Sequence, residues 1–303
     1  MLISSNTKFE GVFTALITPF KNNQIDYESL DRLLDQQLAG GVAGVVPCGT
    51  TGESPTLSHD EKQRLIKTTV SKCKNKILVI AGTGSNDTTQ TIASTKEAEG
   101  LGVDAALVVV PYYNKPSQEG LYQHFKAVAD SVKIPIILYN VPGRTQISLT
   151  AETVARLAEI ENIVGIKEAS GQLHLLTEIR HALTKSGIKR FTLLSGDDPT
   201  LWPFLWAGGH GVISVASNVN PKAVVNLVAA AETDPRQGCI WNDQLIVYFN
   251  TLFCEANPVP VKALMAKLHS WSADVRLPLF EMNPANFEKL FAAYQSLPTE
   301  LQQ

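Results

Sequence analysis

Eight short apolar runs rich in β-branched residues, each followed by a helical pattern, recur between Phe13 and Val215. No other feature of the 303-residue chain restricts its fold as strongly. The runs occupy residues 13–18, 43–47, 77–81, 105–110, 134–139, 163–167, 191–195 and 211–215. Nearly all are continuous rather than alternating, which is the pattern of parallel strands buried on both faces. Parallel strands need crossover helices, and the intervening segments have them. Leu30, Leu33, Leu34 and Leu38 share one face after Asp26, and Ser58 with Glu61 forms a capping box before Leu65 and Ile66. The stretches at Gly40–Gly41, Gly100–Leu101–Gly102 and Gly208–Gly209 repeat one theme of helix stop, tight turn and apolar strand. A closed (β/α)8 barrel, the TIM barrel, satisfies this pattern, and a doubly wound open sheet is the alternative.

After Val215 the character changes. Residues 222–231, 241–255, 261–269 and 286–297 read as helices with no strand between them, broken at Pro258 and Pro260 and again at Pro278 and Pro284. The expected division is therefore a barrel carrying the active site over residues 1–225 and a C-terminal helical appendage over 226–303. The appendage should pack on the barrel, because no Gly/Ser linker precedes it.

Composition narrows the function classes. A hydrophobic share of 44% over this length supports a large core without metals or disulfides. The net charge is −3 and no run of five Lys/Arg occurs, so nucleic acid is not an expected partner. The apolar runs are too short to span a bilayer, and no apolar leader follows Met1, so no membrane association and a cytoplasmic location are expected. Cys48, Cys73, Cys239 and Cys254 are widely spaced with no histidine at metal spacing. They read as buried small hydrophobes, and no metal is assigned.

In such a barrel the chemistry belongs to the carboxyl ends of the strands. Lys167 closes the sixth run, so its amine starts inside an apolar interior, where dryness favours the neutral amine that imine formation needs. A lysine snorkelling to solvent, or pairing with Glu168, is the structural alternative. Tyr139 ends the preceding strand and offers a phenol as proton relay, or else a rim aromatic. The loop from Gly49 to Ser54 carries backbone N–H groups and two hydroxyls suited to a small carboxylate or phosphate. It lacks a Gly-Lys-Ser/Thr ending, and can equally be a plain turn into the next helix. Asp197 and Asp198 after the seventh strand would repel a phosphate and otherwise read as solvated or helix-capping carboxylates. Arg144, in a Pro-Gly turn beyond Tyr139, can grip a carboxylate with two parallel hydrogen bonds or remain a surface arginine.

Six ordered motifs then stand out: Thr18-Pro19-Phe20, GTTGES at 49–54, GTGSN at 82–86, PYYNKPSQEGLYQHF at 111–125, LYNVPGRT at 138–145 and GIKEAS at 165–170. Over nearly the whole chain they resemble the dihydrodipicolinate synthase family of pyruvate-dependent class I aldolases. The resemblance implies that Lys167 is the Schiff-base lysine and Tyr139 the proton shuttle, with Thr50 and Tyr113 completing the relay. It implies that Thr51 holds the pyruvate carboxylate and Arg144 that of aspartate semialdehyde, with Gly196 and the Ile213 carbonyl lining the pocket. No cofactor is implied. Tyr113 crosses an interface in the family, so a homotetramer, a dimer of dimers, is expected. Another pyruvate aldolase, such as N-acetylneuraminate lyase or a keto-deoxy-sugar-acid aldolase, is the competing reading, as these share the lysine and tyrosine. Lysine-inhibited members of the family bind their end product at positions matching Ser54, Pro55, His59, Lys62, Asn86, Gln90 and Tyr112. Those members have Glu where this chain has Gln90 and His where it has Lys62, so weak lysine feedback is expected.

Overall fold

The computed structural model describes residues 9–303. Its strands are β1 (Gly11–Ala15), β2 (Phe20–Lys21), β3 (Gln24–Ile25), β4 (Gly44–Val46), β5 (Leu78–Gly82), β6 (Ala105–Val109), β7 (Ile136–Asn140), β8 (Ile163–Glu168), β9 (Thr192–Ser195) and β10 (Gly211–Ser214). All but β2 and β3 form a closed barrel in the order β1-β10-β9-β8-β7-β6-β5-β4, with parallel pairing. The barrel expected from the eight apolar runs is therefore present, and the open doubly wound sheet is excluded.

Helices follow the strands: α1 (Tyr27–Gly40), α2 (His59–Cys73), α3 (Thr88–Gly100), α4 (Gln118–Ser131), α5 (Pro142–Thr145), α6 (Ala151–Ala158), α7 (Leu173–Lys185) and α8 (Leu201–Trp206). Asp26 caps α1 by accepting from the backbone N–H groups of Glu28 and Ser29, and the Ser58/Glu61 capping box starts α2. The repeated glycine turn is real: Gly102 (φ 83°) and Gly208 (φ 95°) are left-handed between a helix and the next strand. One element escaped the sequence reading. Strands β2 and β3 pair antiparallel around Asn22 (φ 51°) and Asn23 (φ 61°), and two adjacent asparagines are a turn signal of this kind.

Beyond β10 come α9 (Pro221–Thr233), α10 (Pro235–Thr251), α11 (Val259–His269) and α12 (Pro284–Gln295), with α10 packed on α9 and on α12. The expected boundary at residue 225 falls inside α9. The chain divides into two compact units: Val79–Ile213 with residues 9–10, and Gly11–Leu78 with Ser214–Gln303. The C-terminal helices thus share a unit with β1 and β4.

In the first unit, the outward faces of β6, β7 and β8 meet α4, α6 and α7 through Val108, Phe125, Val128, Leu138, Leu157, Ile166, Leu176 and Ile179, all fully buried. Each such side chain contributes about 1.5–3 kcal/mol relative to exposure. In the second unit Leu30, Leu33 and Leu34 of α1 are buried as expected, while Leu38 is only half-buried. Gln37 is buried beside them, its Oε1 accepting from Thr14 Oγ1 at 2.6 Å while its buried Nε2 finds no hydrogen-bond partner among the described residues, so the apolar stripe carries one half-satisfied amide. The cysteines split against expectation. Cys48 and Cys73 are buried, burial pushing the Cys48 thiol up to about 12, but Cys239 and Cys254 are exposed. Among the described residues no helix is long and apolar enough to cross a membrane.

Candidate active site

Parallel pairing of β7 with β8 sets Tyr139 opposite Lys167, and pairing of β8 with β9 sets Lys167 opposite Leu194. Both side chains are buried, Lys167 at 6% exposure and Tyr139 at 7%. The Lys167 amine lies 4.3 Å above the centroid of the Tyr139 ring. Among the described residues no carboxylate lies within ion-pairing distance of it. The two structural alternatives for this lysine therefore fall away. It does not reach solvent, and it does not pair with Glu168, because adjacent residues of a strand face opposite ways. Glu168 is occupied elsewhere: its Oε2 accepts from Asn140 Nδ2 at 2.7 Å and its Oε1 from the Ser170 backbone N–H at 2.6 Å. Burial raises the Glu168 carboxyl above its ordinary range, while these hydrogen bonds act in the opposite direction.

Gly196 follows β9, and its backbone N–H donates to the Glu168 carbonyl at 2.7 Å. A Cβ there would stand 2.9 Å from Lys167 Cε and 2.5 Å from Ala169 Cβ. The missing side chain leaves the space in which the lysine stem lies. Ile213, on β10, is 1% exposed. This unit thus brings Lys167, Tyr139 and Gly196 together.

Arg144 and Tyr113 are placed differently. Arg144 is exposed on the short α5, directly after β7. Tyr113 is 87% exposed and has φ 73°. The Asn114 N–H donates to the Tyr112 carbonyl at 2.9 Å, making a γ-turn with Tyr113 at its strained centre, while Asn114 Nδ2 ties the loop to the Asn86 carbonyl at 2.8 Å. The single chain holds Tyr113 outward and does not bury it beside Lys167.

The other unit carries Thr50 and Thr51 in the loop after β4. Gly52 N–H and Ser54 N–H both donate to the Gly49 carbonyl, at 3.2 and 3.3 Å, and Glu53 N–H donates to the Thr50 carbonyl at 3.1 Å. Thr18 Oγ1 donates to the Gly52 carbonyl at 2.7 Å, fastening the loop to the segment after β1. Thr50 is half-buried and Thr51 only 2% exposed. Asp197 closes the turn before α8, its Oδ2 accepting from the Thr200 N–H at 3.1 Å and hydroxyl at 2.7 Å. Asp198 is buried, at 1% exposure, and so is not the solvated carboxylate the sequence allowed. Among the described residues no group of three or more His, Cys, Asp or Glu side chains could hold a metal ion.

Three residues escaped the sequence reading. Asn257 donates from Nδ2 to Thr51 Oγ1 at 2.9 Å, and Lys262 on α11 donates to Glu53 Oε1 at 2.6 Å in a fully buried ion pair. The Arg276 N–H completes Glu53 by donating to its Oε2 at 2.9 Å. A signal existed for one of them: Lys262 is the lone charge in an apolar helical run from Val259 to Met265, and a charge so placed needs a partner.

Comparison with known proteins adds the family. The model of the dihydrodipicolinate synthetase family matches residues 8–296. A 4-hydroxy-tetrahydrodipicolinate synthase of Bdellovibrio bacteriovorus is 54% identical over 292 residues, 94% of this chain and 96% of that protein. The solved 4-hydroxy-tetrahydrodipicolinate synthase of Methylacidiphilum fumariolicum SolV superposes with a TM-score of 0.92 at 45% identity, covering 95% of this chain and 96% of that one. The chloride-inhibited dihydrodipicolinate synthase of Acinetobacter baumannii, solved in complex with pyruvate, gives 0.91 at 42% identity over 95% and 99% of the two chains. With matches of this length, and a buried lysine over a tyrosine ring where the motifs put them, the chain belongs to the dihydrodipicolinate synthetase family.

Proposed function

We propose that this chain condenses pyruvate with L-aspartate 4-semialdehyde through an imine on Lys167. The product is 4-hydroxy-tetrahydrodipicolinate, a step toward diaminopimelate and lysine. The observation that carries this reading is the buried Lys167 amine, without an ion-pairing carboxylate among the described residues and 4.3 Å above the Tyr139 ring. The amine adds to the keto carbon and water leaves, giving the imine. A methyl proton is lost to form the enamine, whose carbon attacks the aldehyde. The amino group of the semialdehyde then adds to the imine carbon, closing the ring and expelling Lys167. Position and a dry site do most of the work.

In this scheme Tyr139, Thr50 and Tyr113 relay protons, Tyr113 reaching the site of a neighbouring subunit in a homotetramer built as a dimer of dimers. Thr51 binds the pyruvate carboxylate, Arg144 that of the semialdehyde, and Gly196 and the Ile213 carbonyl line the pocket. The reacting groups lie within residues 1–225, no cofactor takes part, and the enzyme works in the cytoplasm. The names of the relatives favour the synthase over a sialic-acid or keto-deoxy-sugar-acid aldolase, and Arg144 suits a second substrate with a carboxylate rather than a polyol. Incubation with pyruvate and borohydride should add one reduced pyruvyl group at Lys167 by peptide mass. An unmodified Lys167 refutes the imine, and turnover of sialic acid but not of semialdehyde refutes the synthase.

A further inference from the structure

The loop that presents Thr50 and Thr51 is fastened twice by the C-terminal part of the chain. Asn257, 7% exposed, donates from Nδ2 to Thr51 Oγ1 at 2.9 Å. Five residues on, Lys262 donates to Glu53 Oε1 at 2.6 Å, both side chains being essentially inaccessible, and its amine also lies 4.3 Å from the centroid of the Phe20 ring. Glu53 is held in the left-handed region (φ 53°), which a glutamate adopts only under external constraint. A buried ion pair is weak evidence of added stability, since desolvation offsets much of the attraction, but it does fix one geometry.

The polarity of the first contact carries the inference. A hydroxyl has one proton and two acceptor lone pairs. With the Asn257 amide donating to it, the Thr51 oxygen must aim its proton elsewhere. Among the described residues no protein acceptor takes that proton. We infer that Asn257 is a positioning residue that commits the Thr51 hydroxyl to donating toward the carboxylate of the keto-acid substrate, in a loop set in place by the Glu53–Lys262 pair. This rests on the reading of Thr51 as the pyruvate-carboxylate ligand.

The test separates the two claims. Asn257→Asp is nearly isosteric, but its carboxylate only accepts. It captures the Thr51 proton and adds a negative charge, so KM for pyruvate should rise tenfold or more, with kcat within threefold and KM for the semialdehyde unmoved. Asn257→Ala should raise KM for pyruvate about three- to tenfold, and should add nothing further in a Thr51→Val background. Circular dichroism and thermal melts identify a variant that fails to fold, and the other Asn257 variant then decides. A pyruvate KM within twofold of the parent enzyme overturns the inference. So does an Asn257→Ala effect that survives undiminished in the Thr51→Val background, or one that falls equally on kcat and both KM values. If Thr51→Val itself leaves pyruvate KM unchanged, the assignment of Thr51 fails. If it raises that KM while the Asn257 variants do not, only the role of Asn257 fails.

Discussion

Tyr139 and Lys167 are register partners on β7 and β8, and the amine lies over the ring face. The phenyl ring and the hydroxyl can therefore be separated experimentally. Tyr139→Phe keeps the surface under Lys167 and removes only the hydroxyl proposed as the proton relay. It should lower kcat by roughly 10²–10⁴-fold, the usual worth of general acid/base catalysis, while borohydride still traps pyruvate on Lys167, more slowly. Loss of trapping with an intact fold would assign the hydroxyl an indispensable part in imine formation.

Gly196 is a packing requirement of the lysine stem. A methyl group there meets Ala169 Cβ at 2.5 Å and Lys167 Cε at 2.9 Å. Gly196→Ala should displace the amine and lower kcat/KM by about 10²-fold, with a stability loss of about 1–3 kcal/mol. Steady-state rates and denaturant melts check both parts.

Acid should act first through His124. This buried ring on α4 meets Thr88 Oγ1 at 2.9 Å through Nδ1, its Nε2 has no hydrogen-bond partner among the described residues, and burial lowers its pKa from 6.5 to about 4. The unfolded chain binds the proton more readily, so the contribution of His124 is intact above pH 6.5 and is lost as pH falls toward about 4. The window is worth up to ~3 kcal/mol. His124→Leu should flatten the pH dependence of urea unfolding between pH 7 and 4; an unchanged slope would assign the loss to other groups.

A second acid transition involves Glu61 on α2. Hydrogen bonds from the Arg276 guanidinium, at 2.5 and 2.8 Å, are the largest cause holding the Glu61 carboxyl near about 2, against an ordinary 4.5. A depressed carboxylate stabilises the fold above its unfolded pKa and loses that contribution as pH falls from 4.5 toward 2. Arg276→Gln should cost stability in full at pH 7, where Glu61 is ionised, and progressively less as pH falls from 4.5 toward 2, flattening that part of the pH dependence of urea unfolding followed by far-UV circular dichroism.

Lysine titration of the initial rate should show weak or no inhibition. Gln90 is a neutral side chain whose Oε1 accepts from Ser85 Oγ at 3.3 Å, and Lys62 adds a positive charge to the set expected to meet a cationic amino acid. Gln90→Glu with Lys62→His should restore sensitivity. Strong inhibition of the unaltered enzyme at submillimolar lysine contradicts the expectation.

Much of this architecture was legible because parallel strands buried on both faces must be continuous apolar runs, and each of the eight runs overlaps a barrel strand. Lys167 and Tyr139 were legible because strand-end positions are set by local sequence. Their register was not, since pairing depends on how two distant runs align. Asn257 was hidden for the same reason: its partner Thr51 lies 206 residues away, and an asparagine before a proline reads locally as a turn. The β2–β3 hairpin was missed because strands of two residues carry too little pattern to count.

The bond between Thr51 and Asn257 also has a temporal meaning. At roughly 5–20 residues per second, a ribosome needs about 10–40 seconds to travel between the two. Throughout that interval the nascent chain carries its Thr50–Thr51 loop without the amide that meets it, and Glu53 without the ammonium of Lys262. Both contacts to this loop therefore form late in translation, and a polypeptide that stalls after β10 keeps Lys167 while lacking both fastenings.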